Sequence, residues 1–175
     1  MKAEYIDLNC HSYIDPPLTR LGSYLENGKI GIFPTDTVYG LGCNALDDDS
    51  IMKLFKLKSR NLSKPICVLI SNLTMLQLLV DSISAEEQKL IDTFWPGPLT
   101  IIFKKKKEVS NILTSNLDTI GIRMPNNTVC LSLIEKACIP CATTSVNLSG
   151  NLPGTKVSDF QSTFRRYSRL YNRCW

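Results

Sequence analysis

Hydroxyl side chains are concentrated directly after a short apolar segment in the N-terminal part of the chain. In GIFPTDTVYGLG, residues 31–42, the hydroxyls of Thr35, Thr37 and Tyr39 follow the predicted strand KIGIF. In open α/β sheets, ligands usually bind beyond the carboxyl ends of strands. Hydroxyls at such an end can donate hydrogen bonds to a small polar molecule and accept them from it. The stretch therefore predicts one wall of a binding pocket.

Three further polar groups fall at the ends of predicted strands or helices. They are Arg123 at the end of TIGIR, the residues Thr143, Thr144, Ser145 and Asn147 in PCATTSVN, and Lys58, Arg60 and Lys64 at and after the end of the helix DDDSIMKLFKLKSR. The four cations have no acidic residue within three positions on either side. Such cations are satisfied by distant acids, by water or by an anionic ligand.

The residue types narrow the kind of ligand. Arginine suits bidentate recognition of carboxylate or phosphate, and lysine acts as a mobile point charge. A K-x-R pair at a helix end is also typical of a solvated helix terminus. The joint placement of all four groups nevertheless predicts a site for a polyanion and a small polar molecule.

Motifs of other reaction classes are absent from the sequence. There is no G-x-x-x-x-G-K-[ST] phosphate loop, and Gly40-Leu-Gly42 lacks the third glycine of a dinucleotide fingerprint. The sole histidine, His11, is far in sequence from the four groups, which leaves them without a histidine base. We therefore expect a reaction that depends on positioning and electrostatics, such as in-line attack on phosphorus, without a covalent enzyme intermediate.

The seven cysteines predict reduced thiols, because their odd number and scattered spacing do not form a disulfide framework. Only Cys138-Ile-Pro-Cys141 has the spacing of a metal-binding or redox pair. A zinc site would need a second pair, and a redox C-x-x-C normally opens a helix, whereas this one leads into a predicted strand. We interpret both cysteines as small buried apolar residues and predict no metal site.

The composition is that of an ordinary globular domain. The chain has 175 residues, of which 43% are hydrophobic and 21% charged, and no apolar run approaches the roughly 20 residues of a membrane span. The polar N-terminus MKAEYIDLNCHS is not a secretory signal, so we expect a cytoplasmic protein with no membrane contact. Five of the 20 Lys and Arg residues lie from Lys156 onward, against Asp159 alone. This basic tail is either a solvated helix face or a contact for RNA phosphates.

Mixed strand and helix signals predict an α/β fold. The predicted strands are KIGIF, ICVLIS at 66–71, LTIIFKK, TIGIRMP and PCATTSV. The predicted helices run from Pro16 to Gly28, from Asp47 to Lys58, from a Ser84/Glu87 capping box to Trp95, over 127–138 and over about 156–170, with WPGP as a turn. Long crossovers and one expected hairpin indicate a single domain over 1–175, built as an open, twisted mixed sheet with flanking helices.

Five blocks of this sequence occur in the order of a known family. They are FPTDTVYGLG, KLKSR with KPICVLI, FWPGPLT, IGIRMPNN and TTSVNLSG. The chain thus resembles the YrdC-like threonylcarbamoyl-AMP synthases from about residue 15 to about residue 160, which leaves the basic tail at about 161–175 outside the match.

The resemblance implies a YrdC-like fold and a nucleotidyltransferase. Such an enzyme condenses L-threonine, bicarbonate or CO2, and ATP into threonylcarbamoyl-AMP and pyrophosphate. ATP would be a substrate, as MgATP, and no prosthetic group is expected. A separate threonylcarbamoyl-transferase complex would then modify a tRNA adenosine next to the anticodon, and the basic site and tail could contact tRNA.

The resemblance also implies roles for individual residues. Lys58 and Arg60 would be catalytic, and both would bind the nucleotide together with Lys64, Thr119, Ser145 and Asn147. Threonine would be bound by Thr37 and by Arg123, which faces its carboxylate, in a pocket shaped by Thr35, Tyr39 and Thr143. Because Lys58 and Arg60 would face a ligand and not the core, their alanine variants would lose turnover at a nearly unchanged melting temperature.

Several positions depart from the family pattern. Asn61 follows the K-x-R element where many members have proline, and Leu69 takes the position of a histidine that touches threonine. Val146 replaces the alanine of S-A-N. The sequence also ends at RRYSRLYNRCW, where members continue into a Ser-Thr strand and a distal arginine. Either the basic tail substitutes for these elements, or the ATP site is left open, or the chain is truncated. We expect weaker nucleotide binding than in a full-length relative.

Two other functions stay open. One is an RNA-binding module that keeps the fold and has lost catalysis. The other is a carbamoyl-phosphate-using relative, because the same fold occurs within larger carbamoyltransferases. The extra domains of those proteins have no room in 175 residues.

Overall fold

Six strands form the framework of the part of the chain that the computed structural model describes, residues 16–147. They are β1 Gly31–Phe33, β2 Gly40–Asn44, β3 Cys67–Leu69, β4 Ile101–Lys104, β5 Thr119–Arg123 and β6 Cys141–Ser145. Their hydrogen-bonded order is β1-β2-β6-β3-β5-β4. Strands β3 and β5 are parallel, and every other neighbouring pair is antiparallel. The prediction of one open mixed sheet with flanking helices is confirmed.

Six helices precede or connect these strands within the described residues. They are α1 Pro16–Glu26, α2 Asp48–Lys58, α3 Leu73–Gln77, α4 Ala85–Phe94, α5 Asn111–Thr114 and α6 Thr128–Ala137. None of them is both long and apolar enough to cross a bilayer. The predicted helix at about 156–170, Gly150 and the tail at 161–175 lie outside the described residues.

Three of the longer helices, α2, α4 and α6, begin close to the predicted positions because their N-terminal capping residues are local. The side chain of Asp47 accepts the Asp49 N–H at the start of α2, and Asn127 caps α6 in the same way. Ser84 and Glu87 form a reciprocal capping box at the start of α4. Such caps satisfy the backbone N–H groups that the first turn of a helix leaves unpaired.

Strand β2 and the short helices α3 and α5 are not predicted by the sequence. All five residues of β2 are buried, although its sequence GLGCN is poor in strand-forming residues. A Cβ at Gly42 would lie 2.8 Å from Phe33 Cζ and 2.9 Å from Thr143 Oγ1, so a larger residue does not fit. The Gly-Leu-Gly sequence therefore belongs to the interior of the sheet, where it makes room for neighbouring side chains.

The two faces of the sheet differ in burial. In β5, Ile120 and Ile122 are 2% and 0% exposed, whereas the alternate residues Thr119, Gly121 and Arg123 are more accessible. Residues paired across neighbouring strands share a face. By the observed register, the side that we call the site face carries Thr119, Gly121, Arg123, Cys67, Thr143 and Ser145.

Candidate functional site

Lys58 joins the end of helix α2 to the end of strand β6. Its Nζ donates to the Ser145 carbonyl at 2.5 Å and to Asn147 Oδ1 at 2.7 Å. The Ser145 hydroxyl donates to the same Asn147 oxygen at 2.6 Å. The structure thus brings the K-x-R and S-x-N elements together. We call Lys58, Arg60, Ser145 and Asn147 the anion cluster.

The electrostatics of Lys58 favour an anionic ligand. The residue is only 4% exposed, and burial, with a further contribution from Arg60, lowers the pKa of Lys58 to about 8. Both acceptors are uncharged, and no carboxylate pairs with Lys58 within residues 16–147. An ammonium has three N–H donors, so within residues 16–147 one donor and an uncompensated positive charge are left for a ligand.

The burial of Lys58 corrects one expectation. The expectation that Lys58→Ala leaves the melting temperature nearly unchanged assumes that Lys58 lies outside the core. The structure shows instead that Lys58 is buried. The aliphatic stem is packed at the end of α2, so Lys58→Ala removes packing as well as charge.

Arg60 is held by the loop that follows α2. Its Nε donates to the Lys64 carbonyl at 3.1 Å, and its Nη2 donates to the Pro65 carbonyl at 2.9 Å. Asn61, where the resembling family often has proline, supports this loop because its Oδ1 accepts the Ser63 N–H at 2.9 Å. Burial lowers the pKa of Arg60, and the side chain of Lys64 is exposed.

Arg123 donates hydrogen bonds to two other segments, the loop after β1 and the turn at Gly97. Its Nε donates to the Gly97 carbonyl at 3.0 Å, its Nη1 to Thr37 Oγ1 at 3.3 Å and its Nη2 to Asp36 Oδ1 in an ion pair. Asp36 is therefore the distant acid that compensates this cation. We call Arg123, Asp36, Thr37 and Gly97 the arginine cluster.

Asp36 and Gly97 are site residues that the sequence analysis does not assign. Both lie inside blocks that carry the family resemblance, FPTDTVYGLG and FWPGPLT, which was the available signal. Gly97 is required by close packing, because a Cβ there would lie 2.3 Å from the Phe94 carbonyl oxygen. Its N–H also donates to the Met124 carbonyl at 2.8 Å, which fixes the turn against the end of β5.

The two threonines of the hydroxyl-rich stretch have different surroundings. Thr35 Oγ1 donates to the Val38 carbonyl at 2.6 Å and accepts the N–H groups of Thr37 and Val38 at 3.2 and 3.3 Å. The hydroxyl of Thr35 thus organises the loop between β1 and β2. Thr37 is exposed, and its Oγ1 lies next to the Arg123 guanidinium.

The other predicted residues occupy three kinds of position. Thr143 is buried on the site face and donates to the Cys141 carbonyl at 3.0 Å. Thr119 is exposed at the first position of β5. Tyr39 is partly buried against the core, and its carbonyl accepts the Val146 N–H at 3.0 Å.

The predicted groups on β5 and β6 lie at opposite ends of the strands in the sheet. Arg123 pairs with Leu69 and Leu69 with Cys141, so Arg123 is level with the start of β6. Because β6 runs antiparallel to β3, its last residue Ser145 lies at the opposite end of the strands from Arg123. The common placement suggested by the carboxyl-end rule is therefore wrong for Arg123. The segment 34–39 links the two clusters instead, since Thr37 contacts Arg123 and Tyr39 binds the backbone next to Ser145.

The prediction for the C-x-x-C pair is half wrong. Cys141 is buried, as expected, but Cys138 is exposed. The reason is that α6 ends at Cys138, whose left-handed φ of 53° turns the chain out of the helix. Within residues 16–147, no group of three or more His, Cys, Asp or Glu side chains could hold a metal ion.

A cavity of about 320 Å³ shares no residue with either cluster. It is lined by Ala45, Leu46, Asp48, Leu78, Glu108, Val109 and Ser110. The carboxylates of Asp48 and Glu108 disfavour a polyanion there, so the cavity does not compete with the anion cluster as a phosphate site.

Comparisons with known proteins identify the family. The family model Sua5_yciO_yrdC, whose description is "Telomere recombination", matches residues 23–171. The chain belongs to the Sua5/YciO/YrdC family. This confirms the resemblance that the sequence blocks indicate, and the clusters above are built from the same blocks.

Members of the Sua5/YciO/YrdC family with curated names are similar over most of this chain. The threonylcarbamoyl-AMP synthase of Pyrococcus abyssi is 40% identical over 141 residues, which is 81% of this chain and 42% of that protein. The one of Bacillus subtilis is 36% identical over 144 residues, 82% of this chain and 42% of that protein. A crystal structure of P. abyssi Sua5 complexed with L-threonine superposes with a TM-score of 0.80 at 36% identity, covering 83% of this chain and 43% of that one. The chain spans less than half the length of these relatives.

Proposed function

We propose that this chain is a nucleotidyltransferase, an L-threonylcarbamoyladenylate synthase. It would condense L-threonine, bicarbonate or CO2, and ATP to threonylcarbamoyl-AMP and pyrophosphate. The observation that carries the proposal is the buried Lys58 ammonium next to Arg60, which meets only uncharged acceptors within residues 16–147. Two relatives at 40% and 36% identity are named threonylcarbamoyl-AMP synthase.

The anion cluster is the proposed site for the nucleotide phosphates and bicarbonate. Lys58 and Arg60 offset the charge of the reacting phosphates, and Ser145 and Asn147 orient the Lys58 ammonium. The exposed Lys64 and Thr119 are proposed as further nucleotide contacts. Fixed cations near a transferring phosphoryl group stabilise the charge that develops on the leaving pyrophosphate.

The arginine cluster is the proposed site for threonine. Within residues 16–147 the Arg123 guanidinium keeps two N–H donors that the observed bonds do not use, and a carboxylate can accept them. Thr37 is the exposed hydroxyl beside it, with Thr35, Tyr39 and Thr143 shaping the surroundings. The related P. abyssi Sua5 was crystallised with L-threonine, which supports an amino-acid site in this fold.

The proposed reaction has two steps. The threonine amine attacks CO2 and loses a proton, which yields a carbamate. A carbamate oxygen then attacks the α-phosphorus of ATP as the bond from that phosphorus to the β-phosphate oxygen breaks, which releases pyrophosphate. ATP enters as MgATP, so the metal ion belongs to the substrate. Discrimination against serine rests on one methyl group, which is worth only about 1–3 kcal/mol.

The cellular setting is part of the same proposal. A cytoplasmic enzyme would pass the adenylate to a threonylcarbamoyl-transferase complex that modifies a tRNA adenosine beside the anticodon. Direct tRNA contact through the basic tail is proposed as well, although the tail lies outside the described residues.

Pyrophosphate release tests the proposed function. The purified protein is incubated with MgATP and bicarbonate, with and without L-threonine, and the adenylate is identified by mass spectrometry. Threonine-dependent release with formation of threonylcarbamoyl-AMP is expected. Absence of release, together with RNA binding that weakens steeply with salt, would instead establish the RNA-binding module.

A further inference from the structure

Within residues 16–147, the side chain of Asp36 has one hydrogen-bond partner, and that partner is a cation. Its Oδ1 accepts a hydrogen bond from Arg123 Nη2 in an ion pair, and the two side chains are only 12% and 13% exposed. The partners come from the loop after β1 and from the end of β5. The pair therefore connects two segments that nothing in the local sequence brings together.

The second carboxylate oxygen of Asp36 has no partner comparable to Arg123 in the described residues. Oδ2 is buried and has no hydrogen-bond partner within residues 16–147. A carboxylate buried only for stability would use both oxygens, because each unsatisfied buried acceptor is costly. Since Arg123 is the only side chain that binds this carboxylate in the described region, the orientation of Asp36 depends on Arg123, and Asp36 is in turn one of three acceptors that hold Arg123.

The donors of Arg123 show what the orientation achieves. A guanidinium has five N–H groups in a rigid plane. Gly97, Thr37 and Asp36 each accept one of them. Three acceptors from two segments, the loop after β1 and the turn at Gly97, determine the direction of the plane and hence of the two donors that remain within residues 16–147. Because Asp36 also cancels the charge of Arg123, recognition of a carboxylate here depends on donor direction more than on net charge.

We propose that Asp36 is a positioning residue of the amino-acid site: it holds the Arg123 guanidinium so that its two remaining N–H groups face the ligand carboxylate. The inference rests on the proposed function only in taking an amino-acid carboxylate as the ligand. Asp36 itself does not contact the amino acid. Its effect on binding is transmitted entirely through Arg123.

A double-mutant cycle tests this dependence. Binding of L-threonine to the full chain is measured by calorimetry for the unmodified protein, Asp36→Ala, Arg123→Ala and the double variant. Asp36→Ala is expected to weaken threonine binding about tenfold, because a misplaced guanidinium loses directed hydrogen bonds. In the Arg123→Ala background the same change is expected to have no further effect. ATP binding, measured in parallel, is expected to stay within about twofold because the anion cluster is separate.

Two additions make the outcome decisive. Asp92→Ala removes an equal charge at an exposed position of α4 and is the matched control, with unchanged threonine binding expected. Asp36→Asn keeps the side-chain volume, and its effect must also vanish in the Arg123→Ala background, which covers the case in which Asp36→Ala does not fold. Unchanged threonine binding in Asp36→Ala, or effects of Asp36 and Arg123 that add, would overturn the proposal.

The binding readout also separates this inference from the proposed function. If the unmodified chain releases pyrophosphate with threonine but the two Asp36 variants bind threonine normally, the positioning role is overturned and the activity stands. If the chain binds threonine and obeys the cycle without releasing pyrophosphate, the positioning role stands and the activity fails. If threonine does not bind at all, both are overturned.

Discussion

The anion cluster and the arginine cluster each contain a partly or fully buried cation, but the two cations are compensated differently. Lys58 meets a backbone carbonyl and an amide oxygen, so its charge is uncompensated within residues 16–147. Arg123 meets the carboxylate of Asp36. A cation among uncharged acceptors gains most from a ligand that brings negative charge, whereas a cation in an ion pair contributes directed donors. The difference indicates that the first cluster provides electrostatic stabilisation and the second provides orientation.

Removal of the Lys58 charge is expected to have the largest effect. Lys58→Met keeps an apolar stem and removes the ammonium, and turnover should fall by about 10²–10³-fold, the usual loss when one preorganised donor to a developing negative charge is removed. Threonine-dependent pyrophosphate release measures it. Lys56→Met is the matched control, because Lys56 is exposed in the same last turn of α2 and should retain full activity. More than a tenth of the activity in Lys58→Met would contradict the role of the anion cluster.

The arginine cluster should respond to geometry more than to charge. Arg123→Lys preserves the positive charge but loses the planar guanidinium with its fixed N–H donors. The KM for threonine is expected to rise about 30-fold, which corresponds to the loss of roughly one or two charge-assisted hydrogen bonds. The KM for ATP should stay unchanged in the same variant. If a lysine at this position bound threonine normally, charge alone would suffice and the contrast between the clusters would fail.

The pH dependence should distinguish the clusters as well. The anion cluster needs protonated Lys58, whose pKa is lowered to about 8, so binding of the nucleotide is complete below that pH and is lost as the pH rises through it. The value of kcat/KM for ATP, which reports the free enzyme, should fall by about tenfold between about pH 7 and pH 9. Lys58→Arg should remove this fall, since arginine stays charged. If kcat/KM for ATP did not change with pH in the unmodified protein, the protonation of Lys58 would not control nucleotide binding in this pH range.

The smallest expected effects concern the two threonines of the loop between β1 and β2. Thr35→Val removes three hydrogen bonds to the loop backbone and one to Thr37 Oγ1 and should lower the free energy of unfolding by about 1–2 kcal/mol. Thr37→Val affects an exposed hydroxyl and should raise the KM for threonine a few-fold at an unchanged melting temperature. Thermal unfolding and steady-state kinetics of both variants measure the difference. The opposite pattern would exchange the roles of the two residues.

Elements with strong local signals were predictable, and those fixed by packing were not. The caps of α2, α4 and α6 are short-range hydrogen bonds, so Asp47, Ser84 and Asn127 mark those helices in the sequence. Strand β2 has no such signal, because Gly42 is selected by the side chains of Phe33 and Thr143 that pack against it. Its pairing with β6, which lies far away in the sequence, follows from the fold and has no local signal.

The candidate site shows the same division. The types and strand- or helix-end positions of Lys58, Arg60, Ser145 and Asn147 were readable from the sequence. The hydrogen bonds of Lys58 to Ser145 and Asn147 are seen only in the fold. The partner of Arg123 was not readable, since Asp36 lies far away in the sequence and only the fold brings the two together. The direction of β6 likewise decided that Arg123 and Ser145 lie at opposite ends of the strands in the sheet.

The amino-acid sequence by itself determined the family, the mixed α/β class and the residue types available for chemistry, because these depend on composition, periodicity and local hydrogen bonds. Only the tertiary structure decided how each cation is compensated: Lys58 by uncharged acceptors and Arg123 by a carboxylate. The physical reason is that electrostatic energy depends on distance and burial in space, and separation along the chain contains neither.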